Sequence, residues 1–313
     1  MVIEHPSISL MSSLKRPGAD PSGPRRQFLD SREIVLSAEI RSKLRYVKST
    51  GFEDMRLFPD FLIVGPQRTG TTWLHAHLRF HPQILLSEPK EIFFFNRLKD
   101  PTHPQFQSAD LDWYVQHFRE PLSRRLAKTA VTAWRCRGLY RPAVRGEATA
   151  SYAAMDPDLI DEVVTLNPGI RVIMMIRDPV DRAWSHAKKD LVRKTGRRVD
   201  EVPADEFRAF FRDEYQVRCG RYVRNHDNWQ ARLRPGHMYV GAFEEIVNRP
   251  RELMLAVMSF LGVRSDQRYV GEDVHHEVNP TAKSAVPAEY RAYLEDLFDE
   301  DIAALEARFG HRG

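Results

Sequence analysis

The chain has 313 residues, of which 42% are hydrophobic and 29% are charged, and these values exclude a wholly disordered or collagen-like protein. The net charge of +4 is too small by itself to indicate nucleic-acid binding, although it suits an anionic ligand. Two cysteines are too few for a disulfide scaffold or a zinc framework, and no apolar run reaches the roughly 18 residues of a membrane span.

The N-terminal part of the sequence has the composition of a linker. Residues 1–26 are rich in proline, glycine and serine, and a weak helical pattern follows over 30–46. These residues lack the basic, apolar and small-residue order of a signal peptide, so a cytoplasmic protein is predicted. We also predict a partly flexible N-terminal extension over residues 1–58 and one folded domain over residues 59–313.

The rest of the sequence alternates short apolar runs with helical patterns. Strands are predicted at 61–64, 84–86, 170–176 and 238–243, and helices at 71–80, 157–166, 180–193, 222–233, 244–261 and 287–309. Three strand-turn-helix units imply parallel strands joined by right-handed crossovers. The predicted fold is therefore α/β, a three-layer sandwich with a central parallel sheet. Because ligands bind at the carboxyl ends of such strands, the segments 65–72 and 177–185 are expected to share one rim.

The segment from Gly65 to Trp73 has the features of a phosphate-binding loop. It follows a strand, opens a helix and has the G-x-x-x-x-G spacing that begins a P-loop, whose backbone amides bind anions. Thr71 stands where a P-loop has lysine, and the strongest strand ends in Arg177, so an ordinary nucleoside triphosphatase is disfavoured. A P-loop-like nucleotide-binding core is predicted; the alternative is a plain strand-to-helix turn. The candidate anion-binding residues are Arg68, Thr69, Gly70, Thr71 and Thr72.

Four motifs follow one another in a fixed order. They read Pro-Gln-Arg-Thr-Gly-Thr-Thr-Trp-Leu at 66–74, Lys-Glu-Ile-Phe-Phe-Phe at 90–95, Gly-Glu-Ala-Thr-Ala-Ser-Tyr at 146–152 and Arg-Asp-Pro-Val-Asp-Arg-Ala-Trp-Ser at 177–185. In this order and spacing they resemble sulfotransferases that use 3′-phosphoadenosine 5′-phosphosulfate (PAPS), nearer to the heparan-type and bacterial branch. The first motif resembles the 5′-phosphosulfate loop, and the last resembles the 3′-phosphate motif R-x-P-x-x-R-x-x-S.

The resemblance implies roles for particular residues. Arg177 and Ser185 would hold the 3′-phosphate, although Arg177 could instead form a structural ion pair with a nearby aspartate. Trp73 would stack on adenine, with packing in the core as an equal alternative. Glu91 would be the general base, with Glu88 as second choice and a surface ion pair to Lys90 or Arg68 as the alternative for Glu91. The further residues implied are Arg68 as the cation that stabilises the leaving group, and Tyr222 and Lys283 as weaker nucleotide contacts.

The function that the resemblance implies is transfer of a sulfuryl group from PAPS to an acceptor hydroxyl by a sulfotransferase domain at 59–313. The acceptor would be a carbohydrate, a lipid or a secondary metabolite, so the expected partner is a small molecule or glycan, without nucleic acid. PAPS is the expected co-substrate, and no metal is implied. The alternatives are an atypical P-loop kinase or NTPase, and a nucleotide-binding module without catalysis.

Overall fold

A single parallel sheet organises the chain. The computed structural model describes residues 35–275 and 285–310, and its five strands lie in the order β2-β3-β1-β4-β5, with every pair parallel. The strands are β1 (Phe61–Val64), β2 (Ile84–Leu86), β3 (Val144–Ala148), β4 (Arg171–Ile176) and β5 (Met238–Ala242). Four of these strands coincide with the predicted ones, and β3 was not predicted.

Helices connect and cover the strands. They are α1 (Ala38–Lys43), α2 (Thr71–Leu78), α3 (Leu111–Gln116), α4 (Leu122–Cys136), α5 (Pro157–Leu166), α6 (Pro179–Ala187), α7 (Ala204–Arg212), α8 (Glu214–Gly220), α9 (Tyr222–Gln230), α10 (Phe243–Asn248), α11 (Pro250–Leu261), α12 (Ala288–Leu297) and α13 (Asp299–Phe309). Among the described helices, none is long and apolar enough to cross a lipid bilayer.

Both faces of the sheet are buried, which confirms the predicted α/β sandwich. In β1, Leu62 and Val64 point into one core, which contains residues of α3, α5 and α9. Phe61 and Ile63 point into the opposite core, which contains residues of α2 and α11. Successive side chains of a strand point to opposite faces, so this alternation places one helical layer on each side of the sheet.

Three predicted helices differ from the observed ones. The helix expected at 244–261 is two helices, because Pro250 disfavours helical backbone at Arg249 and starts a new helix itself. The helix expected at 287–309 is also divided, at Phe298. After Ala187, α6 continues as a π-helical segment, Lys188–Arg193.

Part of the predicted N-terminal extension contributes to the core. Leu36, Val47, Met55 and Phe58 are buried with the α5 face of the sheet. Buried Glu162 of α5 accepts hydrogen bonds from the backbone amides of residues 45 and 47, at 2.7 and 3.0 Å. The domain boundary after residue 58 stays a prediction, and residues 1–34 lie outside the described part of the chain.

Candidate active site

The phosphate loop has the local geometry expected from its sequence. It begins at the end of β1 and ends at Gly70, which is the N-cap residue of α2 and has a φ of 95°. Only glycine adopts this left-handed backbone at low energetic cost. The loop is closed by Thr69, whose buried hydroxyl donates to the carbonyl of Pro66 at 2.7 Å. The free amides at the start of α2 therefore face the rim of the sheet, where an anion would bind.

A hydrogen bond joins the two predicted anion motifs. Arg68 Nε donates to Ser185 Oγ at 2.9 Å, so the phosphate loop is in direct contact with the last turn of α6. Arg177, at the end of β4, donates from Nη1 to the carbonyl of Arg68 at 3.2 Å. Because β1 and β4 are neighbours whose connections leave in opposite directions, this contact lies at the switch point of the sheet, where α/β proteins bind ligands.

Positive side chains converge on this rim. Burial lowers the pKa of the Arg68 guanidinium, and the charges of Arg177 and Arg193 lower it further. Burial likewise lowers the pKa of Lys188, with Arg177 and Arg68 as the next contributors. Like charges held together in a partly desolvated place favour the binding of an anion, which relieves their repulsion. The Lys188 side chain is buried as well.

The arginine at the end of β4 is held in place without a strong ion pair. Its guanidinium lies over the ring of Phe243, 4.2 Å from the ring centroid, and the distance from Nη2 to the Asp181 carboxylate is 4.0 Å. The forked donors of Arg177 are thus oriented but only weakly neutralised, as a phosphate-binding arginine requires.

Tyr222 lies deeper than a surface contact to a nucleotide would. Its side chain is almost fully buried, and its hydroxyl has no hydrogen-bond partner among the described residues. Burial raises the pKa of this phenol, which the charges of Arg182 and Arg177 oppose. Tyr222 is therefore part of the core beside this cluster, and a contact from it to a nucleotide stays a prediction.

Glu91 lies next to the phosphate loop. The carbonyl of Ala150 accepts a hydrogen bond from the Gly65 amide at 2.9 Å, while the Ala150 amide donates to Glu91 Oε1 at 3.2 Å. One residue therefore links the start of the loop to the predicted base. Lys90 Nζ also contacts Oε1, at 3.3 Å, so the ion pair considered as an alternative is present as well. Both of these bonds use Oε1.

The other candidates of the sequence analysis lie in different surroundings. Glu88 is half exposed and pairs with Arg124 of α4 at 2.8 Å, on the outer side of the 87–91 segment. Trp73 is buried in the core on the α2 face and donates from Nε1 to the carbonyl of Val274 at 3.2 Å. The geometry therefore favours the core-packing alternative for Trp73, and adenine stacking stays a prediction. Lys283 falls outside the described residues.

A buried carboxylate of β3, which the sequence did not single out, binds the hydroxyl groups that hold the segment containing Glu91. Glu147 of β3 is fully buried and accepts hydrogen bonds from the hydroxyls of Tyr114 and Thr149. Burial raises its pKa to about 7, against the effect of these hydroxyl donors. Tyr152 is a third hydroxyl partner of the same carboxylate.

These hydroxyls also hold the segment that contains Glu91. Thr149 Oγ1 accepts from the Ile92 amide at 3.2 Å. The oxygen of Tyr152 accepts from the amides of Phe94 and Phe95 at 3.0 and 3.3 Å. The conformation after Glu91 is therefore fixed by β3 and its following turn. The sequence signal for this network is the glutamate of the motif at 146–152.

The comparison with family models decides the classification. A model described as "Sulfotransferase family" matches residues 59–267. The chain belongs to the sulfotransferase family. This result confirms the resemblance inferred from the four motifs, and with it the prediction of a sulfotransferase-family enzyme.

The sulfotransferase matches parts of curated relatives that are longer proteins. Human bifunctional heparan sulfate N-deacetylase/N-sulfotransferase 2 is 28% identical over 219 residues, which cover 66% of this chain and 22% of that protein. The membrane-associated sulfotransferase kil1 of Dictyostelium discoideum is 29% identical over 127 residues, covering 41% of this chain and 22% of that protein. The chain thus matches about a fifth of the length of these relatives.

Solved structures show the same fold. A sulfotransferase from Alicyclobacillus acidocaldarius has a TM-score of 0.61 and 24% identity, over 82% of this chain and 97% of that one. A second, from Mycobacterium avium, has a TM-score of 0.51 and 13% identity, over 80% of this chain and 77% of that one. These similarities confirm the P-loop-like α/β fold.

Proposed function

We propose that this sulfotransferase transfers a sulfuryl group from PAPS to an acceptor hydroxyl. The observation that carries the proposal is the hydrogen bond between Arg68 and Ser185, because it brings the two anion motifs together on one rim. PAPS has anionic groups at its 5′ and 3′ positions and so offers one group to each motif. The amides of the phosphate loop would hold the phosphosulfate, while Arg177 and Ser185 would hold the 3′-phosphate.

Glu91 is the proposed general base. Its hydrogen bonds to the described residues use Oε1, so Oε2 is available for the proton of the acceptor hydroxyl. As that proton moves to Glu91, the acceptor oxygen forms a bond to sulfur, and the bond from sulfur to the bridging phosphate oxygen breaks. Arg68 stabilises the negative charge that develops on the departing phosphate. By analogy with phosphoryl transfer, positioning and electrostatic stabilisation dominate the catalysis.

The acceptor class is the second part of the proposal. The curated relatives include proteins named for N-sulfation of heparan sulfate, which supports a glycan acceptor. A lipid and a secondary metabolite are the other acceptors predicted from the sequence. The cytoplasmic location also stays a prediction.

Calorimetry on the whole protein tests the nucleotide assignment. We expect 3′-phosphoadenosine 5′-phosphate to bind at least about tenfold more tightly than ATP, with or without magnesium, because only the first has a 3′-phosphate for Arg177 and Ser185. ATP binding that is equal or tighter, and that needs magnesium, would refute the assignment and favour the kinase alternative.

Replacement of the base tests the chemical step. Glu91→Gln keeps the shape of the side chain but cannot accept the proton, so we expect sulfuryl transfer to fall by about 10²–10⁴-fold with nucleotide affinity unchanged. Glu88→Gln is the matched control, because Glu88 lies in the same segment but pairs outward with Arg124. If Glu88→Gln loses activity while Glu91→Gln keeps it, the proposed base is wrong.

A further inference from the structure

Helix α4 exposes its apolar side to solvent. Leu122, Leu126 and Trp134 are 71%, 61% and 83% exposed, and Leu139, just after the helix, is 81% exposed. We call these four residues the α4 apolar surface. A helix on the outside of a domain normally buries its apolar side, and clustered exposed apolar residues usually mark an interaction site.

The polar side of α4 is used to attach the helix to the protein. Arg124 pairs with Glu88 at 2.8 Å, and Arg135 pairs with Asp273 at 2.9 Å. Lys128 lies 3.5 Å from Glu120. The amphipathic helix is thus inverted, with ion pairs toward the domain and leucines and a tryptophan toward solvent. Its orientation leaves the α4 apolar surface available to something outside the described part of the chain.

The segment that carries this surface has charged residues of one sign. Residues 121–146 contain seven arginines and lysines and no aspartate or glutamate. The ion pairs described above use three of these cations, whereas Arg125, Arg137 and Arg141 are exposed. An occupant must therefore be apolar enough for the leucines and negatively charged around them. A second copy of the chain would bring the exposed arginines of the two surfaces together, which is unfavourable.

We propose that the α4 apolar surface binds the surface of an anionic lipid bilayer. Leucine side chains would enter the boundary between headgroups and acyl chains, tryptophan prefers that boundary, and exposed arginines attract anionic headgroups. The proposal does not depend on the reaction catalysed. Since Arg124 ties α4 to the carbonyl of Leu86 and to Glu88, a bound bilayer would adjoin the segment that leads to Glu91.

Vesicle sedimentation of the full chain tests the proposal. We expect binding to vesicles of phosphatidylcholine with phosphatidylglycerol, and much weaker binding to phosphatidylcholine alone. Raising NaCl from about 0.1 M to about 0.5 M should weaken the binding, because it screens the arginines. A blue shift of tryptophan fluorescence should accompany binding, since Trp134 is exposed, whereas Trp113 is half-buried and the other three tryptophans are buried.

Single substitutions identify the surface responsible. Leu126→Glu should weaken vesicle binding at least about tenfold, since it replaces an apolar contact by a charge that anionic lipid repels. Phe52→Glu is the matched control, because Phe52 is 88% exposed but lies outside α4. Because both positions are exposed, circular dichroism and the thermal midpoint should match the wild type. Equal binding by the wild type and Leu126→Glu would overturn the proposal. The proposal would also be overturned if the wild type did not bind vesicles and instead formed a dimer that Leu126→Glu dissociates.

Discussion

Replacement of Arg177 is the sharpest test of how the rim holds a nucleotide. The guanidinium is already oriented by the Arg68 carbonyl at 3.2 Å and by the Phe243 ring at 4.2 Å, so little ordering is needed when a phosphate binds. A hydrogen bond to a charged group contributes about 1.5–3 kcal/mol. Arg177→Ala should therefore weaken binding of 3′-phosphoadenosine 5′-phosphate by about 10- to 150-fold in calorimetry.

A ligand without the 3′-phosphate separates recognition from loop structure. Adenosine 5′-phosphosulfate keeps the 5′ group and lacks the 3′-phosphate, so Arg177→Ala should change its affinity by less than about threefold. Arg177→Lys keeps the charge but loses the forked donors and should give an intermediate loss for the first ligand. Because Arg177 also contacts the backbone of Arg68, an equal loss for both ligands would mean that it only supports the loop. That result would refute the 3′-phosphate assignment.

Two further substitutions test the loop and the helix that follows it. Gly70→Ala should destabilise the protein by about 1–2 kcal/mol in urea unfolding, since a φ of 95° is unfavourable for alanine; unchanged stability would contradict the proposed role of this glycine. Trp73→Phe should lower the free energy of unfolding by about 1–2 kcal/mol, because the hydrogen bond from the indole to the Val274 carbonyl disappears, while nucleotide affinity should stay within about twofold of the wild type. A tenfold loss of affinity would instead support adenine stacking.

Local signals explain which parts of the fold could be predicted. The strand at 61–64 and the loop after it follow from adjacent residues, whereas β3 depends on a contact that is distant in sequence. Gly146 lies opposite Phe61 in the sheet, and a Cβ at this position would come within 2.1 Å of the phenylalanine ring. Glycine usually weakens a strand, so the run Val-Arg-Gly-Glu-Ala lacks a strand pattern although it lies beside the central strand.

The outward face of α4 could not be predicted for a related reason. Sequence patterns assume that leucines point to the core, whereas α4 turns Arg124 and Arg135 inward, where they pair with Glu88 and Asp273 from other parts of the chain. The same limitation applies to the site. The two anion motifs could be recognised separately, but their contact through Arg68 and Ser185 depends on the packing of β1 against β4.

The buried carboxylate of Glu147 predicts a specific pH dependence of stability. Burial raises its pKa from 4.5 to about 7, so the folded protein holds this proton more tightly than the unfolded chain. The stabilisation from that proton is complete below pH 4.5 and is lost as the pH rises through about 7, by about 3 kcal/mol. Glu147→Gln cannot ionise and should gain up to this amount relative to the wild type between about pH 5 and pH 8.5. Urea unfolding of both proteins at each pH measures the difference, in which the titrating groups that do not interact with Glu147 cancel. A difference that does not change with pH would show that Glu147 is not a buried acid whose ionisation opposes folding.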